Sequence, residues 1–230
     1  MALPADIRIE ALGDSALVLR LPAAIDEATN ERVHALAAWI AANIRHGILD
    51  LVPAYHTLTV HYHPWRYGFE ELAERIRAAE PETVQAAFRA RTVEIPVCYD
   101  PRLGPDLPAL AAYCRLTEED VVRRHSGADY RVFFLGFKPG FAYLGGLPAS
   151  LHMPRHDTPR LRVPAGAVGI GGAQTGIYPD SSPGGWQLIG RTPLRLFDPE
   201  HSPPSLLQAG DHVRFEAIDF DTYRELGGEC

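Results

Sequence analysis

The segment from Phe133 to Gly190 constrains the fold most, because glycine and proline interrupt it every few residues. It contains 12 of the 20 glycines and seven of the 20 prolines. Glycine serves where the backbone needs a positive φ or a close approach, and proline fixes φ and removes a donor. The segment therefore predicts short strands and shaped loops on a β framework rather than helices. Loops held by a rigid scaffold are also where binding residues concentrate.

Size and charge restrict the class of protein. A chain of 230 residues with 46% hydrophobic content predicts one or two domains with a real core. There is no apolar run near the ~20 residues that span a bilayer, and the acidic N-terminal segment does not resemble a signal peptide. We therefore expect a soluble, cytoplasmic protein without a membrane partner. The net charge of −7 argues against nucleic acid as a partner, because a phosphate backbone requires a basic face.

Residues 1–90 predict a small α/β domain. Asp26 is expected to cap a helix that ends at Gly47, and a second helix is expected to end at Pro81. Gly13 marks the turn of a first hairpin. The order ββαββα fits a split, ferredoxin-like sandwich with its helices on one face of the sheet. Strands are predicted at residues 7–11, 16–21, 48–52 and 57–62.

Residues 91–230 predict a second domain, which follows a polar boundary at residues 88–93. A first strand is expected at residues 93–99, and two short helices are expected to begin at Asp106 and Thr117, both typical N-cap residues. After Tyr130 the sequence contains only short strands and turns, and it closes with a strand at residues 212–218. Many short strands with glycine and proline turns favour a barrel or a sandwich.

Several familiar site types do not fit the sequence. The glycine-rich run at residues 166–172 matches neither a P-loop nor a dinucleotide fingerprint. His61 and His63 share a strand face without an evident third ligand, so a solvated face is favoured over a metal site. His152 and His156 lie among prolines that prevent the helix a zinc pair would need. We therefore predict no metal site.

Two features favour an anion-binding pocket. Arg160 and Arg162 share one side of a proline-bounded extended segment, and Arg155 lies on a separate turn. Arginine forks suit carboxylate or phosphate. Exposed arginines without a role remain the alternative. The run Gly184-Gly185-Trp186 allows close backbone approach beside a large apolar ring, which fits either a pocket wall or a core tryptophan. Lys138, the single lysine, could be functional or simply exposed at a turn.

The central motifs resemble one family. LGFKPGFAYLG, PRHDTPRLRVPAGAVGIGGAQTGIYP and PGGWQLIGRT are similar to the signature of the B subunit of 5-oxoprolinase. This family also includes the Kip-type sensor-kinase inhibitor and proteins called allophanate hydrolase subunit 1. The similarity extends over nearly the whole chain, including EIPVCYD and LLQAGDHVRF.

The resemblance implies an α+β protein with a C-terminal cyclophilin-like β-barrel behind a small N-terminal α/β domain. It also implies a protein that acts with the C subunit of 5-oxoprolinase, using ATP and Mg²⁺, to phosphorylate 5-oxo-L-proline. The A subunit of the enzyme then hydrolyses the activated ring to L-glutamate. Two alternatives stay open: a binding protein that inhibits a sensor histidine kinase, and a component of a urea- or allophanate-type amide hydrolase.

Side-chain chemistry at the matching positions predicts the site. Arg155 and Arg160 would be catalytic residues that hold an anion, whereas Arg162 lies outside the family pattern. Ala167 occupies a position where the family usually has serine, so a hydroxyl there is not essential. The remaining binding residues are predicted to be Gly171, Gly172, Gln174, Thr175, Tyr178, Ser182, Gly184, Gly185, Trp186 and Gln187.

Overall fold

The structure, a computed structural model, describes residues 6–22, 26–79 and 91–229. The chain divides into two compact units, Met1–Ala90 and Arg91–Cys230. None of the helices within the described ranges combines the length and the apolar character that a membrane span requires. The predicted helix end at Pro81 and the first half of the predicted boundary at 88–93 lie outside the described residues.

The N-terminal unit is a four-stranded antiparallel sheet with two helices. The strand order is β1-β2-β4-β3, so the two hairpins meet in the middle of the sheet. The predicted element order ββαββα is confirmed. The ferredoxin-like label is not confirmed, because each half runs β-β-α whereas the split motif runs β-α-β. The elements are β1 (Arg8–Ala11), β2 (Ala16–Arg20), α1 (Glu27–Asn43), β3 (Ile48–Pro53), β4 (Thr57–Tyr62) and α2 (Phe69–Arg77).

Local sequence signals explain the first helix. Asp26 caps α1, since its Oδ1 accepts a hydrogen bond from the Thr29 N–H at 2.8 Å. The buried residues Val33, Leu36 and Ile40 form the apolar face that packs into the core. The helix ends at Asn43, earlier than predicted, and Gly47 adopts a φ of 93° in the turn that follows.

The C-terminal unit is built on a closed β-barrel, which confirms the predicted barrel. Seven strands close it in the order β10-β7-β6-β13-β5-β12-β9, and β8 and β11 form a separate two-stranded ribbon. Strands β5 and β13 run parallel, which brings the start of this unit beside its last strand. The strands are β5 (Thr92–Cys98), β6 (Asp129–Leu135), β7 (Ala142–Gly145), β8 (Arg160–Val163), β9 (Ala167–Gly171), β10 (Gln174–Ile177), β11 (Ser182–Gly184), β12 (Gln187–Arg191) and β13 (His212–Ile218).

Three helices accompany the barrel: α3 (Leu107–Cys114), α4 (Glu118–Ser126) and α5 (Phe220–Glu225). The predicted start of α4 is confirmed, since the Thr117 side chain accepts a hydrogen bond from the Asp120 N–H at 3.1 Å. The predicted capping role of Asp106 is wrong, because its side chain makes no cap hydrogen bond to α3. Helix α5 was not predicted, although Asp219 caps it through the Thr222 N–H at 2.8 Å.

Two apolar clusters organise the C-terminal unit. The larger one fills the barrel and includes fully buried residues such as Val132, Leu144 and Ile170. The smaller one joins the two-stranded ribbon and its flanking loops to the barrel wall. Its buried members are Phe141, Val163, Ala167, Tyr178, Trp186 and Leu188. This smaller cluster forms the floor of the candidate site.

Candidate functional site

A pocket of about 250 Å³ opens beside the smaller apolar cluster. We call it the aromatic pocket, because the rings of five residues contribute to its lining: Phe137, Phe141, Tyr143, Tyr178 and Trp186. Neighbouring rings meet nearly perpendicular to one another, for example Phe141 and Trp186 at a centroid distance of 5.7 Å and an interplanar angle of 78°. This edge-to-face arrangement is favourable for aromatic pairs and holds the walls in fixed orientations. Among the described lining residues, Arg155 is the only charged one.

Glycines make room for two of these walls. A Cβ atom at Gly171 would lie 2.6 Å from Nε1 of Trp186, which is closer than atoms can approach. A Cβ atom at Gly184 would overlap the Tyr178 hydroxyl. The predicted glycines Gly171 and Gly184 therefore serve close approach, but to the pocket's own aromatic rings. Gly184 and Gly185 also line the pocket.

Arg155 lies over an aromatic wall. The Cζ atom of its guanidinium is 5.6 Å from the Trp186 ring centroid, within the range of a cation–π contact. The backbone on both sides of Arg155 is anchored: the carbonyl of Pro154 accepts a hydrogen bond from Gln187 Nε2 at 2.9 Å, and the His156 N–H donates to the Gly185 carbonyl at 2.7 Å. Gln187 was predicted to be a binding residue, but it does not line the pocket and instead holds the loop that presents Arg155.

Tyr178 provides a neutral polar group at the pocket. Burial raises the pKa of its phenol, although a hydrogen bond from the Trp186 backbone N–H and the charge of Arg155 act in the opposite direction. The hydroxyl therefore stays protonated at neutral pH and remains able to donate a hydrogen bond.

Arg160 does not line the pocket, because it is paired with Asp106. Its Nη2 donates to Asp106 Oδ1 at 2.6 Å, and the backbone N–H of Leu188 donates to Oδ2 at 2.6 Å. His156 Nε2 lies 3.3 Å from the same Oδ2. Asp106, which is buried, thus ties strand β12 to the loop between His156 and Arg160. We expected Arg160 to hold an anion directly, and the structure shows it holding a carboxylate of its own chain.

Thr175 lies inside the barrel rather than at the pocket. It is fully buried, and its hydroxyl donates to the Gly169 carbonyl at 3.0 Å. The hydroxyl oxygen can then accept a hydrogen bond from His125 Nε2 at 3.0 Å, while Nδ1 of His125 accepts one from the Tyr99 hydroxyl at 2.7 Å. Desolvation lowers the pKa of His125 to about 3, so the ring is neutral. These four groups form one satisfied hydrogen-bond chain in the barrel core.

The remaining predicted residues also lie outside the pocket lining. Gly172 and Gln174 lie at the hairpin between β9 and β10, where Gly172 pairs with Met153. Ser182 is buried on β11. Lys138 forms an ion pair with Asp180 and does not line the pocket.

Sequence reasoning missed several residues of the site. Phe137, Phe141 and Tyr143 line the pocket, yet they were treated only as part of a motif. Their signal was the spacing in FKPGFAY, which places Phe141 and Tyr143 two residues apart and therefore on one side of an extended chain. Asp106 was also missed, because its local context is typical of a helix cap.

Comparison with known proteins identifies the class. Residues 7–207 match the family model of the carboxyltransferase domain, subdomain C and D. The 5-oxoprolinase B subunit of Bacillus subtilis (strain 168) is 44% identical over 232 residues, which cover 95% of this chain and 97% of that relative. The 5-oxoprolinase B subunit of Escherichia coli O157:H7 is 45% identical over 204 residues, covering 89% and 93%. The chain therefore belongs to the family of 5-oxoprolinase B subunits, as its motifs indicated.

Solved structures support the fold. The crystal structure of TTHA0988 is similar with a TM-score of 0.79 and 41% identity; it covers 89% of this chain, which spans only 40% of that longer chain. The K. lactis urea amidolyase shares the fold at 18% identity and a TM-score of 0.69, covering 95% of this chain and 15% of its own. The same architecture therefore also occurs as one part of larger polypeptides.

Proposed function

We propose that this chain is the B subunit of an ATP-dependent 5-oxoprolinase and that its aromatic pocket receives 5-oxo-L-proline. One observation carries the proposal: the pocket combines aromatic walls with a single cation, Arg155. The substrate is a small flat lactam with one carboxylate. Its ring would pack against the aromatic walls, and its carboxylate would pair with Arg155. The relatives named as 5-oxoprolinase B subunits support this assignment.

The pocket fits this substrate better than Mg²⁺-ATP. Mg²⁺ is commonly held through carboxylates, and the described lining residues include none. No group of three or more histidine, cysteine, aspartate or glutamate residues suited to a metal is found in the described part of the chain. We therefore propose that the nucleotide is held outside the aromatic pocket, with a contribution from the C subunit.

The proposed reaction explains the need for ATP. A lactam is a poor electrophile, and phosphorylation of its oxygen turns that oxygen into a leaving group. The γ-phosphoryl group bonds to the lactam oxygen while its bond to ADP breaks. Two water molecules then react at the ring carbon on the A subunit. Addition of the first opens the ring C–N bond, and attack by the second displaces phosphate and leaves the new carboxylate of L-glutamate. In this scheme the present chain binds and orients the lactam.

The two predicted catalytic arginines would have different roles. Arg155 would contact the substrate carboxylate directly. Arg160 would act through Asp106, whose carboxylate also receives the Leu188 N–H and lies beside His156. Because His156 follows Arg155 in the same anchored loop, this pairing would keep the Arg155 guanidinium over the pocket.

Replacing Arg155 tests the proposal. The complex reconstituted with the A and C subunits would be assayed for ATP-dependent release of L-glutamate from 5-oxo-L-proline. We expect Arg155→Ala to abolish turnover, with complex assembly and thermal stability preserved, because the Arg155 side chain is exposed and lies over the Trp186 ring. Arg162→Ala is the matched control: Arg162 is also an exposed arginine of this region, but it bonds Ser181 and does not line the pocket. Equal turnover in both variants would remove Arg155 from the site.

A further inference from the structure

Phe137 has an unusual backbone conformation. Among the described residues only two other than glycine have a positive φ, Arg115 at 57° and Phe137 at 68°. Arg115 follows the last residue of α3, where a left-handed residue is a common way to end a helix. Phe137 lies in no such position. A bulky residue in this region is strained, and such strain persists where the surroundings impose it, often at functional sites.

The surrounding loop imposes this conformation. The Lys138 N–H donates to the Gly136 carbonyl at 2.8 Å, and the Gly136 N–H donates to the Phe141 carbonyl at 3.1 Å. The Phe141 N–H in turn donates to the Lys138 carbonyl at 3.0 Å. The Lys138 side chain also forms an ion pair with Asp180, which lies in the bend after strand β10. The backbone on both sides of Phe137 is therefore fixed by hydrogen bonds.

The ring lies at the aromatic pocket but is left uncovered. Its centroid is 5.4 Å from that of Phe141, and the two rings are nearly perpendicular at 78°. Phe141, Tyr178 and Trp186 are buried in the pocket wall, whereas Phe137 is 60% exposed. Phe137 is thus a large apolar side chain on a strained backbone that the rest of the described chain leaves largely uncovered. A bound ligand would supply the missing apolar contact.

We propose that Phe137 is a ligand-contacting residue that determines affinity for a small planar ring bound in the aromatic pocket. The ring of the ligand would pack against the Phe137 phenyl while its single acidic group pairs with Arg155. This inference rests on the proposed function and assigns to it a residue that covers the substrate. The favoured ligand class is a cyclic amide with one carboxylate, because the pocket is small and has one cation.

The test separates the side chain from the backbone strain. Phe137→Gly removes the ring and relieves the positive φ, Phe137→Ala removes the ring and keeps the strain, and Phe137→Tyr keeps an aromatic ring. Arg115→Gly is the matched control, because it relieves a similar φ away from the pocket lining. For each variant the melting temperature of the full chain would be measured. Each variant would also be combined with the A and C subunits, and both the assembly of the complex and its KM for 5-oxo-L-proline would be measured.

Removing the Phe137 ring should weaken substrate binding without lowering the stability of the chain. Phe137→Gly should raise KM about tenfold or more, the size expected for losing one aromatic contact. Its melting temperature should stay unchanged or rise by up to about 3 °C, because glycine accepts a positive φ without a clash. Phe137→Ala should raise KM to a similar extent, and Phe137→Tyr should keep KM within about twofold. Arg115→Gly should match Phe137→Gly in stability and leave KM unchanged.

Three outcomes would overturn the proposal. If Phe137→Gly kept the KM of the wild-type complex, the ring would not contact the ligand. If it prevented assembly, the exposed ring would be a contact for another protein of the complex instead. If the wild-type complex did not turn over 5-oxo-L-proline, the proposed function would fail and this role for Phe137 would fail with it.

Discussion

Replacing Thr175 by valine would show whether this residue acts on stability or on a ligand. The change keeps the side-chain shape but removes the hydroxyl, so the His125 Nε2–H and the Gly169 carbonyl lose their partner in the barrel core. Each buried polar group left without a partner costs about 1–3 kcal/mol. Two groups are affected, so we expect the free energy of unfolding to fall by about 2–6 kcal/mol. At about 2–4 °C for each kcal/mol, the melting temperature should fall by roughly 4–24 °C.

Thr175→Ser is the control that distinguishes hydrogen bonding from packing. Serine keeps the hydroxyl and loses one methyl group, which costs about 1 kcal/mol. The serine variant should therefore be more stable than the valine variant, although valine is the more apolar residue. Urea unfolding of the full chain, followed by far-ultraviolet circular dichroism, would give both free energies. A valine variant as stable as the serine variant would refute the hydrogen-bond chain through His125.

Three further predictions concern other parts of the barrel unit. Gly171→Ala should displace the Trp186 indole, because the new Cβ would lie 2.6 Å from its Nε1. We expect the free energy of unfolding to fall by about 1–3 kcal/mol and the tryptophan emission maximum to shift, and an unchanged emission spectrum would contradict this. Desolvation lowers the pKa of His125 to about 3 in the folded chain, so below about pH 6.5 the unfolded chain binds a proton that the folded chain does not. Urea unfolding should therefore show about 1 kcal/mol less stability at pH 5.5 than at pH 7.5 from this group, and a flat profile would be evidence against it. Asp106→Asn should lower the free energy of unfolding by about 1–3 kcal/mol and raise KM for 5-oxo-L-proline, because Arg160 loses its charged partner. Adding Arg160→Gln to that variant should lower the stability little further, and full additivity of the two changes would argue against the ion pair.

The sequence predicted best those elements whose signals are local. Helix α1 was predicted from a cap and an apolar face within one stretch of chain, and strands β1 and β2 from the hairpin turn at Gly13 between them. Helix α5 was missed because six residues are too few to show a helical period. The residue pattern alone predicted the barrel only as one of two β architectures, and the family resemblance selected the barrel. The barrel closes through the pairing of strands β5 and β13, which lie at opposite ends of this unit in sequence. The local sequence of neither strand indicates this long-range pairing.

The candidate site shows the same limit for side chains. Arg155, Tyr178 and Trp186 were predicted together and do meet at the aromatic pocket. Arg160 was assigned by the same logic, but its partner Asp106 lies 54 residues away in sequence. The Asp106 carboxylate in turn accepts from Leu188, which lies 82 residues along the chain from Asp106. Residue type predicted that these groups bind opposite charge, whereas only the fold determines which charge they meet.

The chemistry of the pocket gives a physical reason for the proposed dependence on partner proteins. Its described lining offers apolar contact, one guanidinium and a phenol whose raised pKa keeps it protonated at neutral pH. Such groups can hold and orient a lactam, but they include no carboxylate to hold Mg²⁺ and no group with the pKa of a general base near neutrality. We infer that a partner protein of the complex supplies the groups that hold the phosphoryl donor and the metal. The isolated chain should then bind 5-oxo-L-proline without consuming ATP, and a chain that hydrolysed ATP alone would contradict this division of labour within the complex.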